Sequence, residues 1–190
     1  MRITGGTARG RNLIGPPGKN PFLRPTTDRV REAVFDILGD LVAGATVADL
    51  YSGTGAYGLE ALSRGAERVV FADNSTRAME LLTKNCQRLF PEADVHAFLL
   101  DVSKKSGLEK VRNRLEDKPL FDLVFLDPPY KQGLAEKTLK LIDASEFAAP
   151  DGMVIVEEHK SVNMPESLNK LHRTDQRQYG ESTVSFYALP

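Results

Sequence analysis

The chain has 190 residues, 41% apolar and 27% charged, a length and balance that point to one globular domain whose core needs no staples. Its one cysteine, Cys86, excludes an intramolecular disulfide and a cysteine-based zinc cluster, and no run of about 18 apolar residues is present to span a bilayer. The net charge of −1 hides an asymmetry: residues 1–31 carry seven basic residues and one acid, a net of +6, against −7 for the remainder, the footprint expected of a basic arm that meets a polyanion.

The chain opens Met1-Arg2-Ile3-Thr4-Gly5-Gly6, without the apolar stretch of a secretory signal, so a cytoplasmic protein is expected. Residues 1–23, rich in Gly, Pro and Arg, read as a basic arm or small hairpin ahead of one domain over 24–190. Val30, Ala33, Val34, Ile37, Leu38 and Leu41 share one helical face, which predicts a helix over 26–42. From residue 46 strand and helix signals alternate. Strands are expected at Thr46–Tyr51, Arg68–Asp73, Val95–Leu100 and Phe121–Leu126, and helices at Tyr57–Arg64, Ser75–Phe90, Lys104–Glu116 and Leu134–Ala144. That alternation predicts βαβ units and a mainly parallel, doubly wound sheet. The last strands, Met153–Glu158 and Thr183–Leu189, enclose a polar stretch with no helical period. Extended structure over 168–179 and the Gly180-Glu181-Ser182 turn predict a final hairpin and an antiparallel strand.

The first strand runs into Asp49-Leu50-Tyr51-Ser52-Gly53-Thr54-Gly55-Ala56-Tyr57-Gly58. Gly53, Gly55 and Gly58 satisfy G-x-G-x-x-G between a strand and a helix, where the backbone can approach a nucleotide closely. Asp73 ends the next strand 20 residues after Gly53, placed to accept hydrogen bonds from both ribose hydroxyls. Two further acids argue against NAD. Asp49 precedes the glycines and suits a cationic ligand; Asp101 ends the third strand and suits an adenine amino group. S-adenosylmethionine has both features and no phosphate for the helix N-terminus.

The fourth strand ends in Asp127-Pro128-Pro129-Tyr130, the most specific signal in the chain. Two prolines stop the strand in an extended turn. Such a turn offers the Asp127 carboxylate and the Pro128 carbonyl as fixed acceptors for the two N–H groups of an exocyclic base amine, with Tyr130 as a stacking face. Orienting that amine aims its lone pair at an activated methyl, and Asp127 can then receive the departing proton.

These residues resemble the class I amino-methyltransferases. Arg2-Ile3-Thr4-Gly5-Gly6, Arg9-Gly10-Arg11 and Arg24-Pro25-Thr26-Thr27-Asp28-Arg29-Val30-Arg31-Glu32 narrow the resemblance to the bacterial RsmD-like family, which methylates the N2 amine of a guanine in 16S (small-subunit) ribosomal RNA. It extends from residue 2 to the last strand and is weak at 104–120 and 160–178. The resemblance implies a seven-stranded Rossmann-like methyltransferase sheet with its last strand antiparallel and a small N-terminal β extension. It implies S-adenosylmethionine as donor, and Asp127, Pro128 and Tyr130 at the target base. Residues and resemblance together give Asp49, Ser52, Gly53, Thr54, Gly55, Asp73, Asp101 and Val102 as cofactor contacts, with Thr26 in a segment that closes over the cofactor. Arg2, Arg9, Arg11, Arg24 and Arg29 are the expected RNA contacts. Asn74 departs from the family pattern and is not assigned to ribose.

The expected partner is small-subunit ribosomal RNA, free or within an assembling particle. No metal is expected, and a monomer is expected because no unexplained apolar patch stands out. His96, His159 and His172 share no metal spacing and read as structural or solvated, Cys86 reads as core, and Tyr57 fits either helix packing or a cofactor contact. On chemical grounds the tetrapeptide serves adenine N6 or cytosine N4 equally well. An NAD-dependent oxidoreductase would give Asp127 and Tyr130 no role, and a non-catalytic RNA-binding module would not need the tetrapeptide.

Overall fold

A computed structural model describes residues 1–16, 28–117 and 119–189. In chain order the elements are α1 (Asp28–Leu38), a 3-10 turn (Gly39–Val42), β1 (Thr46–Leu50), α2 (Ala56–Ser63), β2 (Arg68–Asp73), α3 (Thr76–Leu89), β3 (Asp94–Leu99), α4 (Lys105–Asn113), β4 (Phe121–Leu126), α5 (Leu134–Asp143), β5 (Ala148–His159), β6 (His172–Tyr179) and β7 (Ser182–Ala188). The seven strands form one sheet in the order β3-β2-β1-β4-β5-β7-β6. β1 to β5 run parallel, and β7 is antiparallel to both neighbours. The sheet is the doubly wound one with an antiparallel last strand that the sequence predicts.

Burial explains the order. Val47, Ala48 and Leu50 of β1 and Leu123, Val124, Phe125 and Leu126 of β4 are all buried, as a parallel strand covered on both faces requires. β3 has only exposed and half-buried positions and lies at an edge. Side chains alternate across the sheet: Leu123 and Phe125 join Val34, Phe35, Leu59 and Phe71 in one core, while Val124 and Leu126 join Leu108, Val111, Leu139 and Ile142 in the other. The chain winds outward from β1 to β3, then crosses back to β4. β1 and β4 are therefore neighbours at the point where the strand order reverses, the crevice in which open α/β sheets take ligands.

The N-terminal extension is a small hairpin. Arg2 and Asn12 form an antiparallel bridge, flanked by Ile3 N–H to Arg11 O (2.9 Å) and Leu13 N–H to Met1 O (3.0 Å). Ile3 and Leu13 are buried in the core shared with α1 and α2. The hairpin is held by Glu60 of α2, whose carboxylate accepts from Thr4 N–H (2.8 Å), Thr4 Oγ1 (2.7 Å) and Gly5 N–H (2.7 Å).

Some boundaries shift. The helix expected over 26–42 is α over Asp28–Leu38 and tightens to 3-10 for its last turn; residues 26 and 27 lie outside the described residues. α4 ends at Asn113, three residues before the expected Glu116. β5 begins at Ala148, not Met153, because an irregularity between the Phe121–Ala148 and Leu123–Met153 pairs absorbs Pro150-Asp151-Gly152.

Candidate active site

β1 ends in a turn of unusual backbone. Tyr51 has φ 66°, a left-handed conformation that costs a non-glycine residue energy, and is held there by its N–H to Ala72 O (2.9 Å) and its hydroxyl at 2.6 Å from Thr138 Oγ1 of α5. Gly55 follows with φ 86° at the N-terminus of α2. A Cβ on Gly58 would lie 2.3 Å from Phe71, so this third glycine serves close packing of α2 on β2. A Cβ on Gly53 would meet nothing within 4 Å: the turn faces open space there.

Three carboxylates stand at or just past the carboxyl ends of β1, β2 and β3. Asp73 Oδ2 accepts from Gly53 N–H and Oδ1 from Ser75 N–H, each at 2.8 Å, and each oxygen keeps a further lone pair. Asp101 Oδ1 accepts from Ser103 Oγ (2.7 Å) and N–H (3.1 Å), and Oδ2 lies 3.0 Å from Lys104 Nζ. The Ser103 hydroxyl and Lys104 hold its carboxyl below the usual range. Asp49 is 2% exposed and accepts from Gly58 N–H at 2.9 Å. Burial pushes its carboxyl up to about 7, aided by the charge of Asp73 and opposed by Gly58 N–H and Arg31. Ser52 and Val102 are buried, and Ser52 Oγ has no hydrogen-bond partner among the described residues. Thr54 is half-buried, its carbonyl accepting from Asn85 Nδ2 (3.0 Å). Thr26 lies outside the described residues.

The second turn leaves the sheet beside the first. Leu50 pairs with Leu126, so the glycine turn and Asp127-Pro128-Pro129-Tyr130 emerge at the same level. Asp127 is half-buried and Pro128 buried. The Tyr130 hydroxyl donates to Glu157 Oε1 and lies 2.8 Å from Ser182 Oγ; its ring meets His159 edge-on at 6.2 Å. Lys131, with φ 61°, donates its N–H to Glu158 Oε1 at 3.0 Å. Tyr57 of α2 donates to Glu157 Oε2 at 2.9 Å while its ring stacks on Phe125 at 4.7 Å, so it serves helix packing. Burial first, then the charges of Glu157 and Asp127, raise the ionisation of both tyrosines, which stay protonated donors. Glu157 and Glu158 escaped the sequence reading. Their only signal was two acids in succession at the end of a strand otherwise apolar enough for a core.

The arginines divide. Arg2, Arg9, Arg11 and Arg29 are exposed, Arg2 lying 3.9 Å from Asp28; Arg24 is outside the described residues. Arg31, counted above within the basic cluster, is fully buried, with Nε 3.2 Å from Glu60 and Nη2 3.1 Å from Asp28. Its charge is neutralised inside the molecule and adds nothing to a surface patch. Cys86 is half-buried and its thiol is pushed up to about 11 by burial, unsuited to nucleophilic work. Among the described residues no helix is long and apolar enough to cross a membrane, and no group of three or more His, Cys, Asp or Glu side chains is arranged to hold a metal.

The chain matches the family described as "Conserved hypothetical protein 95" over residues 1–188. It is 34% identical to the Bacillus subtilis protein named "Putative rRNA methyltransferase YlbH", over 98% of each chain. It is also 34% identical to "Ribosomal RNA small subunit methyltransferase D" of Escherichia coli, over 87% of this chain and 78% of that one. Among solved structures, "Putative methyltransferase yhhF from Escherichia coli" superposes with a TM-score of 0.82 at 30% identity, covering 100% of this chain and 97% of the other.

Proposed function

The chain belongs to the conserved hypothetical protein 95 family, that of the RsmD-like methyltransferases, and from that footing we propose that it methylates ribosomal RNA with S-adenosylmethionine, at the exocyclic N2 amine of a small-subunit guanine. The observation that carries the reading is the pairing of Leu50 with Leu126, which brings the glycine turn and the Asp-Pro-Pro-Tyr turn side by side at the reversal point of the sheet.

The site fits the cofactor on three grounds: the open space over Gly53, the partnerless Ser52 Oγ, and the remaining lone pairs of Asp73. When bound, S-adenosylmethionine supplies a methyl group already activated by a sulfonium, so the protein's work is positioning and electrostatics. Asp73 would accept the ribose hydroxyls and Asp101 the adenine amine, and the Ser52–Gly55 turn would hold the rest of the nucleoside. A cationic ligand would draw the Asp49 carboxyl, raised to about 7 by burial, back toward its ionised form. Across the crevice the Asp127 carboxylate and the Pro128 carbonyl accept the two N–H groups of the target amine, while the Tyr130 ring stacks on a base taken out of its helix. The nitrogen lone pair would then face the methyl; as the N–C bond forms, the S–C bond of the donor breaks with its electron pair left on the sulfur of S-adenosylhomocysteine, and Asp127 would take the proton that the amine loses. Arg2, Arg9, Arg11 and Arg29 hold phosphates, which carry position and not sequence.

Labelled S-adenosylmethionine and unmodified small-subunit particles, followed by nucleoside analysis, test the reading. N2-methylguanosine is expected. Label on adenine N6 or cytosine N4 would keep the chemistry and change the base. No label on particles, naked rRNA or DNA, with cofactor binding intact, would remove the proposal.

A further inference from the structure

Glu157 belongs to neither turn of the site, yet it touches both sides of the crevice. It lies on β5 and is 1% exposed, a burial that costs a carboxylate heavily unless donors surround it. Oε2 accepts from the hydroxyl of Tyr57, two residues past Gly55 on the helix that leaves the glycine turn. Oε1 accepts from the hydroxyl of Tyr130, the last residue of the Asp-Pro-Pro-Tyr turn, which also meets Ser182 at the start of β7. The Tyr57 ring leans on Phe125, two residues before Asp127. One carboxylate thus joins α2, β5, β7 and the turn after β4. The residue beyond it, Glu158, holds the same turn from the other side of the strand through Lys131 N–H.

We propose that Glu157 is a positioning residue for methyl transfer: its carboxylate bridges the Tyr57 and Tyr130 hydroxyls and so fixes the base-side turn against the cofactor-side helix. This rests on the reading of the site as an amino-methyltransferase. The two sides bind different molecules, and nothing in the substrates themselves sets the gap between amine and methyl. A misplacement of about 1 Å at such a gap can lower a rate about a hundredfold. A carboxylate suits the post because it accepts from two hydroxyls with no donor of its own; an amide of the same shape must turn an N–H toward one of them. Apolar side chains would fill the same volume without holding either tyrosine.

The test uses the full chain and the variants Glu157→Gln, Tyr130→Phe and the two combined. Methyl transfer to ribosomal RNA gives kcat and KM, calorimetry gives the cofactor Kd, and thermal unfolding checks the fold. Each single variant is expected to lose about 10- to 100-fold in kcat while cofactor Kd stays within about threefold. The double variant should be no slower than the slower single one, because residues acting as one unit are not additive. Tyr130→Phe keeps the ring and deletes only the hydroxyl, so it tests the bridge even if Glu157→Gln does not fold. Single variants with the wild-type kcat, losses that multiply in the double variant, or losses that follow cofactor affinity would each overturn the proposal. A wild-type chain that methylates no RNA would instead overturn the functional reading, and the positioning role with it.

Discussion

Asp49 shows how one side chain serves fold and site at once. Its carboxylate caps the start of α2 through Gly58 N–H, and it does so from a fully buried position that raises its ionisation to about 7. An acid whose folded pKa is raised is stabilised in its neutral form. Between its ordinary value of 3.8 and about 7 the unfolded chain ionises while the folded chain does not, so the contribution to stability is present at low pH and lost as pH rises through that window. Asp49→Asn removes the titration and keeps an acceptor for Gly58. Urea unfolding at pH 5 and pH 7 should therefore show the variant gaining on the wild type by about 1.4 kcal/mol per pH unit, and levelling above neutrality. An unchanging difference would mean that Asp49 is ionised throughout. The three acids at strand ends were legible because each sits at a fixed place in a βαβ pattern. The protonation of one of them was not, since it depends on what α2 and Arg31 bring over it.

At the scale of elements, Glu60 joins the hairpin and α1 to its own helix, α2. Besides the hairpin donors, its carboxylate meets Arg31 Nε at 3.2 Å and Arg64 Nε at 3.0 Å. Glu60→Ala would strand the buried Arg31 guanidinium, whose Nη1 already has no partner among the described residues. Loss of about 3–5 kcal/mol in unfolding free energy is expected, the usual result of breaking a buried pair from one side. A loss under about 1 kcal/mol would show the pair to be dispensable. Hydrophobic period and turn residues made most elements legible, and Arg68–Asp73 and Phe121–Leu126 appear with the expected bounds. What escaped is polar and long-range. Arg31 counts as one more surface cation until Glu60, 29 residues away, is folded against it. Glu157 looks like the polar end of a strand until Tyr57, 100 residues earlier, reaches it. Neither periodicity nor local spacing encodes such partners.

At the scale of the molecule, the doubly wound order sets the glycine turn and the Asp-Pro-Pro-Tyr turn side by side at one edge of the sheet, and the hairpin adds exposed cations to a body of opposite net charge. Burial of Arg31 reduces that basic excess, but Arg9 and Arg11 remain exposed in the hairpin. If they hold phosphates, RNA affinity falls as salt rises, and each arginine replaced by alanine should reduce the slope of log K against log salt by about 0.7 to 1. A slope unchanged in both variants would place the RNA elsewhere.

The most direct measurement compares wild type with Asp127→Ala, determining methyl transfer to ribosomal RNA and cofactor affinity in the same preparations. Asp127 is assigned to the target amine and not to the cofactor. Transfer should therefore fall by about a hundredfold or more, with the cofactor Kd within about threefold of wild type. Transfer that survives the substitution would contradict the assignment of the Asp-Pro-Pro-Tyr turn as the place where the methyl is received.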